Sequence, residues 1–293
     1  MSALELAQAV FDGLLFGATY AVIGIGFTLI FGVMHKINMA YAAASLAGAY
    51  AALLILLFVQ APALVVFLLA GVAGGVIGLV IYVCCFRFMP LAAPLAPLMA
   101  TIGMLMLIDE IIVHATEGMP LPYPALFDNV MLQLGEFTLR GDLLLVFGVS
   151  IACMALMLLL LYRTRLGLAT RAVAQQPVAA QLCGVRLTRV NALTFLLTGL
   201  FGGIAGAMIG ASVGTLSPLL ILPVTIKGLI VTVIGGLGSI PGAIVAGLLV
   251  GACENLFQFL RGVTERDIYV MLLLFVFLVF RPGGIFAPGR GRD

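Results

Sequence analysis

The chain of 293 residues has no tryptophan and very little charge, its 14 Lys and Arg and 12 Asp and Glu making up 9% of the residues. A soluble domain carries roughly 25% charged residues, so water is excluded as the main solvent. No G-x-x-x-x-G-K-[ST] phosphate loop occurs, nor H-E-x-x-H. The first absence excludes ATP hydrolysis by that route within this chain, and the second leaves a metalloprotease reading without its constellation. Residues 1 to 12 contain Glu5 and Asp12 but no Lys or Arg. The basic start of a cleaved signal peptide is missing, and the first apolar segment is expected to stay as a helix. The five cysteines (Cys84, Cys85, Cys153, Cys183, Cys253) lack the paired spacing of a zinc site. They read as small core residues without a disulfide framework.

What the chain has is apolar length: 63% of it is hydrophobic, in runs close to the roughly 20 residues that a transmembrane helix needs. The expected fold is an all-α polytopic membrane protein, one transmembrane domain over residues 1–293, with eight or nine crossings. The runs predict helices near 10–33, 39–59, 62–83, 95–113, 142–162, 191–213, 219–235, 242–259 and 267–281. Between the seventh and eighth lies GGLGSIPG, where a re-entrant segment buried in protein is the alternative to a turn.

Positive charge favours nine crossings, because cytoplasmic loops collect Lys and Arg. The loop 163–190 holds Arg163, Arg165, Arg171, Arg186 and Arg189 with no acid, and nine crossings put Lys36, Arg87, Arg281, Arg290 and Arg292 on the same side. The loop 114–141, with Glu117, Asp128, Glu136 and Arg140, then falls on the periplasmic side. Eight crossings would split the basic loop from the basic tail. In this topology His35 and His114 lie on opposite sides and cannot share a metal. Without tryptophan, interfacial anchoring is expected from tyrosines such as Tyr82, Tyr123, Tyr162 and Tyr269.

Lipid supplies no hydrophobic drive between helices, so small residues are expected at their contacts. Glycines four apart occur at Gly13 and Gly17, Gly71 and Gly75, Gly74 and Gly78, Gly247 and Gly251, and in the ladder Gly202, Gly206, Gly210, Gly214. Mid-membrane ionisable residues, which mark ion-coupled carriers, are few: Asp109, Glu110, Lys227 and Glu254. Asp109 and Glu110 sit near a predicted helix end and read as solvated charges.

The stretch RLGLATRAVAQQPVAAQLCGVRLTRV predicts a short helix in the basic loop, with Pro177 in its first turn and Gly184 at its stop. Such a helix suits docking to a partner, an ordinary surface helix being the alternative. Here the sequence resembles the Liv-type branched-chain amino-acid permeases of ABC importers. Their cytoplasmic motif, R-A-x-A followed by small residues and a closing G-[IV], is matched at Arg171, Ala172, Ala174, Ala179, Gly184 and Val185. GLLFGATYAVIGIGFTLIFGVMHKINMAYAAASLAGAY is similar to the family's first two helices, with Asn38 and the closing Gly48, Ala49 and Tyr50. VIGGLGSIPGAIVAGLLVG resembles its Gly-rich segment, with Gly235, Gly236, Gly238, Ser239, Gly242 and Ala243. The likeness runs from about residue 13 to the C-terminus. Two departures stand out: Asn38-Met39-Ala40-Tyr41-Ala42 replaces the family's N-F-A-H-G, and Gln175 and Gln176 occupy a place where an acid is common.

The resemblance implies an ABC importer permease fold in the bacterial inner membrane, with a loop that couples to an ATP-binding subunit. The coupling residues would be Arg171, Ala172, Gln176, Pro177, Ala179, Ala180 and Gly184. It implies a second homologous permease, two ATP-binding subunits carrying ATP and Mg, and a periplasmic substrate-binding protein, with no cofactor on this chain. Substrates would be branched-chain or related amino acids, and the polar helix residues Asn38, Tyr41, Ser45 and Thr101 are the candidates for lining the path. The alternatives are an ABC permease for urea or amides, and an ion-coupled carrier or channel working without an ATPase.

Overall fold

The computed structural model describes residues 3–56, 62–89, 95–124, 131–134, 137–262, 265–281 and 283–286. Asp128, Glu136, Arg290 and Arg292 lie outside the described residues. The chain runs through α1 (Ala3–Met34), α2 (Ala40–Leu56), α3 (Ala63–Tyr82), α4 (Ala96–Thr116), α5 (Gly141–Arg163), α6 (Arg165–Gln175), α7 (Pro177–Leu182), α8 (Leu187–Val213), α9 (Ile221–Gly235), α10 (Ile240–Arg261) and α11 (Arg266–Phe280). Among the described residues, seven helical segments are long and apolar enough to cross a membrane, and α2 and α11 are shorter apolar helices. These nine stand where the hydropathy predicts them. The protein is an all-α polytopic membrane protein.

Helix ends differ from the apolar runs, because hydropathy marks the span and not the helix. α1 begins seven residues earlier than residue 10, and its first turns carry Gln8, whose Nε2 donates to the Thr138 Oγ1 (2.6 Å) and carbonyl (3.0 Å). The expected 114–141 loop contains β structure that no hydrophobic period announces. β1 (Leu121–Pro122) pairs with β4 (Thr215–Leu216), and β2 (Met131–Leu134) pairs with β3 (Phe137–Arg140), both antiparallel. GGLGSIPG is a tight turn between α9 and α10 and not a re-entrant helix. Gly236 and Gly238 have φ of 98° and 90°, a region closed to most side chains, and the Ser239 hydroxyl caps α10 by accepting from the Gly242 amide (3.2 Å).

Two antiparallel glycine seams hold the bundle together. In α1, Gly13 faces the backbone of Gly251 and Gly17 that of Gly247 on α10. In α3, Gly74 and Gly78 face Gly199 and Phe195 of α8, and Gly203 on α8 lies against the Ala70 and Gly71 backbone. α8 thus has two bare faces. The ladder expected from the sequence forms the other one: Gly202 and Gly206 meet Tyr41 and Ser45 of α2, Gly210 meets Tyr123 and Leu216, and Gly214 ends the helix at φ 76°.

The connections collect at two ends. One end holds β1 with β4 and the Gln8–Thr138 contact. At the other, the Tyr82 hydroxyl donates to the Thr188 carbonyl (3.2 Å), and the Ile285 amide donates to Ile234 (2.8 Å). Tyr82 and Tyr123 are buried within the chain, which corrects the expectation that they anchor at the interface, and burial pushes the Tyr123 phenol above its usual pKa. Tyr162 is exposed, and Tyr269 stacks on Phe257 with ring centroids 4.9 Å apart.

Candidate functional site

The basic loop folds as a compact helical hairpin at the end of α5. Thr164 caps α6 by accepting from the Gly167 amide (3.1 Å), and Gly167 sits against the Leu160 and Leu161 carbonyls, where a side chain has no room. Thr170 and Val173 are buried, fixing the inner face of α6. Gln176 is extended, and Pro177 opens α7 at a position that needs no amide donor. The Gly184 amide donates to Gln181 (2.9 Å) and the Val185 amide to Ala180 (3.0 Å), with Gly184 at φ 84°. This pair of bonds around a left-handed glycine is the Schellman arrangement, and it ends the helix where the sequence places the stop.

The hairpin has distinct faces. Ala180 is 5% exposed and turned inward, whereas Val178 is 70% and Leu182 86% exposed. Arg171, Gln176, Pro177, Ala179 and Gly184 are exposed, and Ala172 is half-buried. Val178 and Leu182 stand four apart on α7 and present one apolar stripe. Of the residues expected at a docking surface, Ala180 is therefore placed in this chain's own packing. Two that were not singled out, Val178 and Leu182, project furthest; their apolar character on a short loop helix was the available signal.

Behind the hairpin lies a cavity of about 370 Å³. Thr28 and Gly32 of α1, Arg171 and Ala174 of α6, and Gly238 and Pro241 of the α9–α10 turn line it. The three sequence segments that carry the family likeness thus meet at one place, although more than 40 residues separate each from the next. The Arg171 guanidinium lies 5.0 Å from the centre of the Tyr162 ring, a cation–π arrangement that holds α6 against the end of α5.

The four polar residues expected on a path are all buried within the single chain. Asn38 Oδ1 accepts from the Ala40 amide (3.1 Å) at the start of α2. Thr101 Oγ1 accepts from the Met39 amide (3.3 Å) and donates to Leu98 (2.9 Å), tying α4 to that corner. The Tyr41 hydroxyl donates to the Thr198 carbonyl on α8 (3.2 Å), its ring meets Phe27 edge-on at 4.8 Å, and Ser45 donates to the Tyr41 carbonyl (3.0 Å). Gly26 and Gly202 leave the space that Tyr41 fills.

A second buried polar group joins three helices. Lys227 Nζ of α9 lies 2.7 Å from Glu254 Oε1 of α10 and 2.9 Å from Asp267 Oδ1 of α11, and 5.7 Å from the Tyr20 ring centre. Lys227 and Glu254 are each about 95% buried, at 5% and 4% exposure.

Comparison with known proteins assigns this architecture. Residues 9–280 match the family described as the permease component of the branched-chain amino acid transport system. The chain belongs to that family. It is 30% identical over 291 residues to the high-affinity branched-chain amino acid transport system permease protein BraD of Pseudomonas aeruginosa, covering 95% of this chain and 94% of BraD. It is 28% identical over 297 residues to the permease protein LivH of Salmonella typhimurium, and 27% over 296 residues to LivH of Escherichia coli K12, covering 96% of both chains in each case. The protein is thus a permease subunit of an ABC importer in a membrane it crosses several times.

In the permease, Lys227 and Glu254 are legible in the sequence as rare mid-membrane charges, but their pairing is not. They lie on different helices 27 positions apart, and Asp267, the third member, reads as an ordinary helix-start acid. Among the described residues no group of His, Cys, Asp or Glu could hold a metal ion.

Proposed function

We propose that this permease forms, with a second homologous permease, the path of a bacterial inner-membrane importer for branched-chain or closely related amino acids. Two ATP-binding subunits, holding ATP and Mg, dock at the end that carries α7, and a periplasmic binding protein delivers substrate at the end that carries β1 to β4. The observation that supports this reading most is the α6–α7 hairpin. It lies between the membrane-length helices α5 and α8, has its second helix bounded by Pro177 and Gly184, and displays an apolar stripe of Val178 and Leu182 with none of the described residues over it. Exposed apolar residues outside the bilayer call for a covering partner. Docking there would pass motion to α1 and the α9–α10 turn across the cavity they share with α6. Asn38, Tyr41, Ser45 and Thr101 act in this reading by holding α1, α2, α4 and α8 in register beside the path.

The test exchanges Leu182→Asp and Val178→Asp in the assembled importer. Neither residue is packed in this chain, so membrane abundance should stay near wild type. Co-purification of the ATP-binding subunit and stimulated ATP hydrolysis should both fall at least tenfold. Unchanged co-purification would remove α7 from the docking surface. Uptake of labelled leucine, isoleucine and valine into proteoliposomes tests the substrate class.

A further inference from the structure

At the end opposite α7 a cavity of about 240 Å³ opens between α1, α5, α8 and α10. It is smaller than the roughly 300–1,000 Å³ of drug-sized sites, and its walls divide by chemistry. Asp12 and Glu254 supply carboxylates, Arg140 a guanidinium, and Phe16, Leu143 and Val213 an apolar surface. Arg140 is fixed at the rim by Asp142 (2.6 Å and 3.2 Å) and by the Ser212 carbonyl (3.5 Å). Glu254 is already held by Lys227. Asp12 differs: its Oδ1 is buried and has no hydrogen-bond donor, a state that costs free energy unless a ligand supplies one.

From this geometry we infer that the cavity is a binding site for a free aliphatic α-amino acid in its zwitterionic form. The ligand ammonium donates to Asp12, with Glu254 beside it, the carboxylate lies toward Arg140, and the side chain rests on Phe16, Leu143 and Val213. A plain anion is disfavoured, because it meets the Asp12 and Glu254 carboxylates in a confined space, whereas an ammonium answers Asp12 and a carboxylate can reach Arg140 at Nη1, which takes no part in the contacts to Asp142 and Ser212. A zwitterion satisfies both. The assignment rests on the proposed amino-acid transport and locates a reception point for it within a single permease, at the end where a binding protein would release its load.

Two measurements test the site. In the complete importer in proteoliposomes, with its binding protein present, Asp12→Asn and Arg140→Gln should each lower L-leucine uptake at least tenfold while the amount of assembled complex is retained. In a cysteine-free background, Ser212→Cys at the cavity wall should react with a small thiol reagent at least fivefold more slowly when L-leucine is present. Isoamylamine and 4-methylpentanoate, which each carry one of the two charges, should not protect. If the charge variants fail to assemble, the protection measurement alone decides. Wild-type leucine uptake with undiminished variants, or protection by a one-charge analogue equal to that by leucine, overturns the site and leaves the transport reading standing. A wild-type importer that carries no amino acid overturns both.

Discussion

Lys227 shows how a single side chain can commit three helices to one arrangement. A charge at bilayer depth is tolerated when it is paired, and Lys227 meets Glu254 at 2.7 Å and Asp267 at 2.9 Å under the Tyr20 ring. Breaking a buried pair by removing one partner costs about 3–5 kcal/mol, since the other charge stays behind. Lys227→Met should therefore lower the thermal unfolding midpoint of the detergent-solubilised permease clearly. The double change Lys227→Met with Glu254→Gln should recover much of that loss, because the only charge then left without Lys227 is the partly exposed Asp267 carboxylate. Equal midpoints for wild type and the single variant would show that the pair contributes nothing to stability. Asp267 is 43% exposed at its side chain, so Asp267→Asn should have the smaller effect.

Among the elements, α8 is the hub, and glycine makes it so. Gly199 and Gly203 lie against α3, while Gly202 and Gly206 lie against α2, which lets three backbones approach where any side chain would separate them. Gly203→Leu should sharply reduce the amount of folded permease recovered from the membrane. Gly103 on α4 has no other atom near its would-be side chain, so Gly103→Leu should leave recovery unchanged, and size-exclusion yield of the two variants gives the comparison. Recovery of both at wild-type levels would mean that the α3–α8 seam does not need glycine. The four-residue spacing on Gly202 and Gly206 is visible in the sequence. Which helix each glycine meets is not, because spacing defines a face and tertiary packing chooses its neighbour.

Among the described residues of the whole molecule, nine apolar helices follow one another along the chain, five before the basic 163–190 loop and nine before Arg281, and this parity agrees with the two sharing a side. The orientation follows from placing the arginine-rich α6–α7 end in the cytoplasm. A cysteine at Met119, exposed beyond α4, should react with a membrane-impermeant thiol reagent in intact cells. A cysteine at Arg186 should react only after the membrane is permeabilised. Labelling of Arg186→Cys alone in intact cells would invert the topology.

Composition and hydropathy by themselves determined the membrane class, the nine helices and the short α7 helix with its Pro177 and Gly184 ends, because apolar length and local turn chemistry act within a few residues. Motif spacing also carried the family likeness. Only the tertiary structure decided that Ala180 faces inward while Val178 and Leu182 face out, that Tyr41 is locked between α1 and α8, and that Thr28, Arg171 and Gly238 border one cavity. It also decided that Lys227, Glu254 and Asp267 form one ionic group and that Asp12 and Arg140 share one pocket. Each of these depends on which helices are neighbours and how each is rotated about its axis. In a chain whose helices are apolar on nearly every side, no amphipathic period records that rotation, and close packing of small residues sets it.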